Sequence, residues 1–294
     1  MTSVLQTIVD ALSFGSMSAL AALGIALVFG VMRLINFAHA ELIMLGAYGT
    51  LVLAGAPWPI VVICVVAFVA LIAVGMERVA FRPVRGASMA TLLVTSFAVS
   101  YFLQNLVILF EGAQVKTLSF GVSLLDPFRV IDVRITWLDL VTVVATLAML
   151  GAVAAILTRT RTGVQLRAAT ENFRMARMVG VRANRVIAVA FAMSGALAAT
   201  VSLLLVAQNG TVSPAMGLQP ALIGFVATVI GGMGSLIGAV TGGFALGVIT
   251  VVFQASLPVG LTPYTDAFVF AIVIGFLVLR PNGLFGARLT EERA

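Results

Sequence analysis

The chain reads as an all-α polytopic membrane protein with nine transmembrane helices as the best count in a range of eight to ten. Some of these helices are expected to be broken or re-entrant. Three observations predict this class. Of 294 residues, 61% are hydrophobic and only 10% charged, with a mean hydropathy of +1.17, whereas a soluble domain carries about 25% charged residues. Apolar runs recur at the length that a hydrocarbon core of ~30 Å requires, ~20 residues per helix. Basic residues gather on one side of the topology that these runs define. Residues 1–294 therefore form a single transmembrane domain.

The formal charge of +6 would suggest nucleic acid in a soluble protein. Here the orientation of loops by Lys and Arg accounts for it, and nucleic acid is excluded as a partner. The single cysteine, Cys64, lies in an apolar run and rules out an internal disulfide or a cysteine metal cluster. No basic residue precedes the first apolar run, and Asp10 stands where a signal peptide would be positive. The first span is expected to be a retained helix.

In order, the spans are predicted at 5–32, 42–54 (short), 60–76, 90–110, 137–157 and 186–207. The stretch from Pro220 to Gln254 holds 35 residues. As one helix it would measure ~52 Å, too long for a single crossing. Gly231, Gly232 and Gly234 lie near its middle, and glycine disfavours a helix interior by ~1 kcal/mol relative to alanine. Two spans joined at that break are expected, although a re-entrant hairpin is also compatible. The last span runs from Ala267 to Leu279.

Charge tests the count. With the N-terminus periplasmic and nine crossings, the cytoplasmic side receives Arg33, Arg78, Arg82, Arg85, seven arginines between 159 and 185, and Arg280, Arg288 and Arg293. That is 14 of the 17 basic residues, as the positive-inside rule requires. Trp58, Trp137 and Tyr264 then fall at periplasmic boundaries, where an aromatic belt belongs. The C-terminus is cytoplasmic on this reading. The segment 111–135 is periplasmic and 159–185 is a cytoplasmic loop.

An internal repeat is possible. Phe14-Gly-Ser-Met-Ser-Ala-Leu-Ala-Ala22 and Phe191-Ala-Met-Ser-Gly-Ala-Leu-Ala-Ala199 share five of nine residues. Their spans cross in opposite directions, so the halves would be inverted, as in transporters whose pathway lies at the repeat interface.

Two stretches carry candidate functional groups. Asn36, the only histidine, His39, and Glu41 fall together between the first two spans. They line the pathway if they sit at membrane depth, or form a helix-breaking turn if they sit at the surface. Ser96, Gln104, Asn105 and Gln208 are further pathway candidates. The second stretch, Gly163 to Val179, forms an amphipathic helix. Leu166, Ala169, Phe173 and Ala176 recur at helical spacing, Glu171 is its lone acid, and Gly180 is placed to end it. It either lies on anionic lipid or docks on a partner protein.

Several motifs resemble one family. Arg33-Leu-Ile-Asn-Phe-Ala-His-Ala-Glu41 with Leu45-Gly-Ala47 is similar to the signature of permease subunits of branched-chain amino-acid ABC importers, of the H type in the leucine/isoleucine/valine system. Ala168-Ala-Thr-Glu-Asn172 through Ala176-Arg-Met-Val-Gly-Val181 resembles that family's coupling loop. Ile230-Gly-Gly-Met-Gly-Ser-Leu-Ile-Gly-Ala239 and Leu279-Arg-Pro-Asn-Gly-Leu-Phe-Gly286 resemble its two C-terminal motifs. Ala40 departs from the glycine expected in most relatives.

The resemblance implies a non-enzymatic subunit of a bacterial inner-membrane importer. Its partners would be a second permease subunit, identical or related, two cytoplasmic ATPase subunits and a periplasmic substrate-binding protein. Glu171, Phe173, Arg174, Ala176 and Gly180 would couple it to the ATPases. No cofactor is expected on this chain, which has no Gly-x4-Gly-Lys-Ser/Thr loop, so ATP belongs to the partner subunits. The cargo would be branched-chain or related amino acids. Sibling permeases carry urea and amides, aromatic acids or sugars, and a stand-alone secondary transporter is the rival class.

Overall fold

The computed structural model describes residues 2–121, 124–130, 133–171, 173–258 and 260–285. Eleven α-helices are found among the described residues: α1 (Thr2–Met32), α2 (His39–Val52), α3 (Trp58–Met76), α4 (Met89–Glu111), α5 (Trp137–Arg159), α6 (Arg161–Glu171), α7 (Phe173–Met178), α8 (Ala183–Asn209), α9 (Leu218–Gly231), α10 (Leu236–Ser256) and α11 (Thr265–Leu279). A π-helical turn, Glu77–Phe81, extends α3. Strand β1 (Lys116–Thr117) pairs antiparallel with β4 (Thr211–Val212), and β2 (Pro127–Val130) pairs with β3 (Val133–Thr136).

Nine of these helices occupy the expected spans. Among the described residues, seven elements are long and apolar enough to cross a membrane: α1, α3 with its π turn, α4, α5, α8, α10, and α11 with the short 3-10 turn before it. The other two, α2 and α9, have 14 residues each, or ~21 Å. Neither crosses alone. Among the described residues, then, seven helices are long enough to cross where nine spans were expected, and α2 and α9 are of half length. The glycine break falls where expected, with Gly232 and Gly234 at positive φ (101° and 97°).

The elements repeat with an offset of 177 residues, the spacing of the two Phe-to-Ala-Ala segments. Under it α1 corresponds to α8, α2 to α9, α3 to α10 and α4 to α11. The packing repeats as well. Gly46 of α2 rests on Ala199 of α8, and Gly224 of α9 rests on Ala21 and Ala22 of α1. Gly195 brings α8 onto the α3 backbone at Ala70, as Gly243 and Gly247 bring α10 onto α1 at Ala19 and Gly15. These small residues permit backbone approach that any larger side chain would block. Even the helix ends match. α8 stops at Gly210 with φ 62°, and α1 stops at Arg33 with φ 53°, among the described residues the one non-glycine with positive φ.

The core is α1 and α8, buried along most of their length and wrapped by α2, α3, α9 and α10. Helices α4, α5 and α11 lie at the edge and leave large apolar side chains exposed, such as Phe110, Leu147 and Ile274. Such surfaces suit lipid or another membrane subunit. Helices α6 and α7, bearing Arg161, Arg167 and Arg177, lie on the same face as Arg33 at the end of α1: Gly30 packs on Thr170. We call this the basic face.

The basic segment is helical on both sides of Asn172, which lies outside the described residues: α6 runs to Glu171 and α7 from Phe173. Gly163 fixes the turn out of α5, since a Cβ there would lie 2.0 Å from the Ile156 carbonyl oxygen. The apolar stripe of Leu166, Ala169 and Ala176 is buried in the chain's own core, and Phe173 is packed against it. The stripe therefore anchors the segment to the bundle. What it leaves exposed is Val164, Arg167, Glu171, Met175, Met178 (77% exposed) and Val179 (81%).

Candidate functional site at the meeting of two half-helices

After α1 ends at Met32, residues 33–38 climb back into the bundle before α2 begins at His39. The climb is measurable. His39 touches Gly24 of α1 and places Nδ1 3.2 Å from Ser194 Oγ of α8. These contacts lie eight and eleven residues from the basic-face ends of their helices, ~12–16 Å away at 1.5 Å per residue. His39 is thus close to the middle of a ~30 Å core. The Asn36-to-Glu41 segment is a helix-breaking turn, and it lies at membrane depth instead of at the surface.

On the other side α9 also begins inside. Its first turn, Leu218 to Ala221, lies against Ile25, Ile35 and Phe37. Gly217 sits on α2, where a Cβ would lie 1.9 Å from the Ala40 oxygen. The two half-helices thus start at a shared point near mid-depth and run to opposite faces.

Polar groups collect around that point. Asn36 is 5% exposed, and neither its Oδ1 nor its Nδ2 has a partner among the described residues. The Glu41 carboxyl is also buried (5% exposed). Its Oε1 accepts from Ser100 Oγ of α4 at 2.8 Å, while Oε2 is unpartnered among the described residues. Ser96 Oγ donates to the Leu93 carbonyl at 2.8 Å and reaches that of Ile35 at 3.4 Å. Gln104 Nε2 donates to the Pro214 carbonyl at 3.3 Å, tying α4 to the approach to α9. Glu41 and Ser96 thus lie where α4 meets the start of α2 and its lead-in, whereas His39 faces α1 and α8 and Asn36 faces the start of α9.

Asn105 is not in this cluster. It lies on the exposed side of α4, with Nδ2 donating to the Tyr101 carbonyl at 2.8 Å. Gln208 is elsewhere, in a cavity of about 390 Å³ that opens between α1, α5, α8 and α10 near the start of α1. Asp10, Asp139 and Gln254 share that cavity. A second cavity of about 190 Å³ also has Gln208 in its wall and reaches Gln219 and Pro220 at the start of α9.

Sequence reasoning missed two features. Phe37 stacks on Phe97 at 4.3 Å and faces Phe225 at 6.3 Å, an aromatic contact between three elements that no local pattern reveals. Glu77 is buried and forms an ion pair with Arg85, whose Nη1 donates to Asn184 Oδ1 at 2.6 Å. Burial lowers the Arg85 pKa from its ordinary value; a guanidinium stays charged nonetheless. An acid at the end of an apolar run followed by three arginines was the available signal. Under the 177-residue offset this cluster stands where the other repeat has Gln254 and the open cavity.

Inverted repeats, half-helices meeting near mid-depth and buried polar groups at their junction define a transport protein of the membrane interior. Comparison with known proteins specifies which kind. Residues 7–277 match the family described as "Branched-chain amino acid transport system / permease component", and the chain belongs to this family of transport permeases. It is 34% identical to the high-affinity branched-chain amino acid transport system permease protein BraD of Pseudomonas aeruginosa, over 98% of this chain and 97% of that protein. It is 32% identical to the permease protein LivH of Escherichia coli K12, with the same coverage. A shorter match, 34% identity over 45% of this chain and 40% of the relative, is to the autoinducer 2 import system permease protein LsrC of Klebsiella pneumoniae. No solved structure matches.

Proposed function

We propose that this chain is the membrane subunit of an ATP-driven importer that moves branched-chain or related amino acids across the bacterial inner membrane. The family match over nearly the whole chain carries this reading. The basic face is cytoplasmic and the N-terminus periplasmic, in line with the distribution of arginines. A periplasmic binding protein delivers substrate to the opposite face, where the cavity with Gln208 opens. A second permease subunit completes the transmembrane part, and two ATPase subunits dock on α6 and α7.

Coupling runs through the exposed side of those helices. Glu171 and the apolar residues beside it, Met175, Met178 and Val179, meet the ATPase, with Arg174 assigned to the same contact (its side chain lies outside the described residues). Phe173 and Ala176 transmit the movement inward because they are packed on the bundle. Gly180, at φ 87°, lets the chain turn back into α8. Asn36, His39, Glu41 and Ser96 line the central part of the pathway, with Asn105 and Gln208 along its approaches. ATP binds the partner subunits and no cofactor binds this chain.

The test is reconstitution of the full complex with its binding protein in liposomes. Glu171→Gln and Gly180→Ala are expected to lower amino-acid uptake at least tenfold while the subunit still inserts and assembles. Uptake at the wild-type rate in both variants would refute the coupling role. Failure of the unaltered complex to take up any branched-chain amino acid, while taking up another solute, would refute the cargo.

A further inference from the structure

Where α2 and α9 meet, a crevice is lined by Ile25, Ile35, Leu218, Leu222 and Phe225. Among the described residues lining it, Asn36 alone has a polar side chain. Its amide is buried without a partner for donor or acceptor. A buried polar group left unpaired is unfavourable, and an aliphatic residue would fill the same space without that penalty. The N-terminal end of α9 faces the same crevice, and its dipole favours negative charge there.

Resting on the permease reading above, we propose that this crevice holds a zwitterionic aliphatic amino acid in transit and that Asn36 recognises both of its charges. A primary carboxamide has an acceptor and two donors side by side. Oδ1 accepts from the substrate ammonium, and Nδ2 donates to its carboxylate. The α9 end supports the carboxylate, and the aliphatic wall receives the branched side chain. A neutral amide suits a ligand without net charge. It holds the ligand weakly enough to release it, which translocation requires as much as binding.

At about 20 Å³ the crevice has room for about one water molecule. It admits substrate only when α2 and α9 separate. Phe37 closes it, stacked on Phe97 and turned toward Phe225.

The experiment uses the complete transporter in liposomes with a diazirine-bearing leucine analogue as probe. Asn36→Leu is expected to insert and assemble with its partner subunits while losing leucine uptake at least tenfold. Asn36→Gln, which keeps the amide, restores part of it. Light-induced adducts are expected on Leu218, Leu222 or Phe225 in the unaltered protein and disappear in Asn36→Leu. If Asn36→Leu does not assemble, Asn36→Ala takes its place with the same expectation. Wild-type uptake by the variant, or adducts only elsewhere in the chain, overturns the site and leaves the permease reading intact. An unaltered complex that transports no leucine overturns the cargo and the site together.

Discussion

Gly217 is where the meeting of the half-helices can be tested most sharply. Replacing it by alanine would put a Cβ 1.9 Å from the Ala40 oxygen and 2.9 Å from the Ala40 carbonyl carbon. Both are backbone atoms, so no side-chain rotation relieves the clash. Ordinary contact begins at 3.4 Å, and α2 and α9 must separate by about 1.5 Å. Overpacking of this kind costs about 1–3 kcal/mol. Gly151, midway along α5, is the control: a Cβ there meets nothing within 4 Å, and alanine in a helix interior gains about 0.5–1 kcal/mol. The two variants should differ by about 1.5–4 kcal/mol, roughly 10- to 1,000-fold in the folded-to-unfolded ratio. Size-exclusion chromatography of purified protein after graded heating measures this as the fraction left in the monodisperse peak. Gly217→Ala is expected to fall below wild type and Gly151→Ala to match or exceed it. A Gly217→Ala protein as heat-resistant as Gly151→Ala would mean that the half-helices do not touch as described.

Three further outcomes are expected. Removing one member of the buried Glu77–Arg85 pair, by Glu77→Met or Arg85→Met, should destabilise by about 3–5 kcal/mol, whereas the double variant should be close to neutral; the same heating assay closes that double-mutant cycle. Gly163→Ala, whose Cβ would strike the Ile156 carbonyl, should displace α6 from the basic face, increasing proteolysis between 160 and 180 and abolishing uptake while the protein still inserts. Glu111→Gln should change thermal stability by less than about 1 kcal/mol, because its partner Lys116, 2.5 Å away, is about as exposed as a surface pair, and such pairs contribute little.

The spans were legible because an apolar run of bilayer length has few alternatives, and the glycine break because three glycines in four residues cannot sit quietly in a helix. The inverted repeat was visible only as a nine-residue likeness, since the other matched helices share packing geometry more than residues. Depth was the harder property. A hydrophilic turn at Asn36 to Glu41 looks the same in sequence whether it lies at a membrane surface or has been folded back between α1 and α8. That distinction depends on Gly24, Ser194 and Gly217, residues far apart in the chain. The stripe on α6 and α7 was correctly periodic, but periodicity does not say what an apolar face packs against. Its partner was the chain's own core. The Phe37 contacts and the Glu77–Arg85 pair were not readable for the same reason, being made by elements that meet only in the folded bundle.

The segment after α11 turns back on the glycine break. Gly283, at φ 73°, lies against Gly232, and the Leu284 and Phe285 amides donate to the carbonyls of Ile230 and Gly231. The last turn of α9 is thus finished by residues more than fifty positions away. Damage at Leu284 should accordingly register first in the fraying of α9, the helix whose opposite end faces Asn36, and not in α11 next to it.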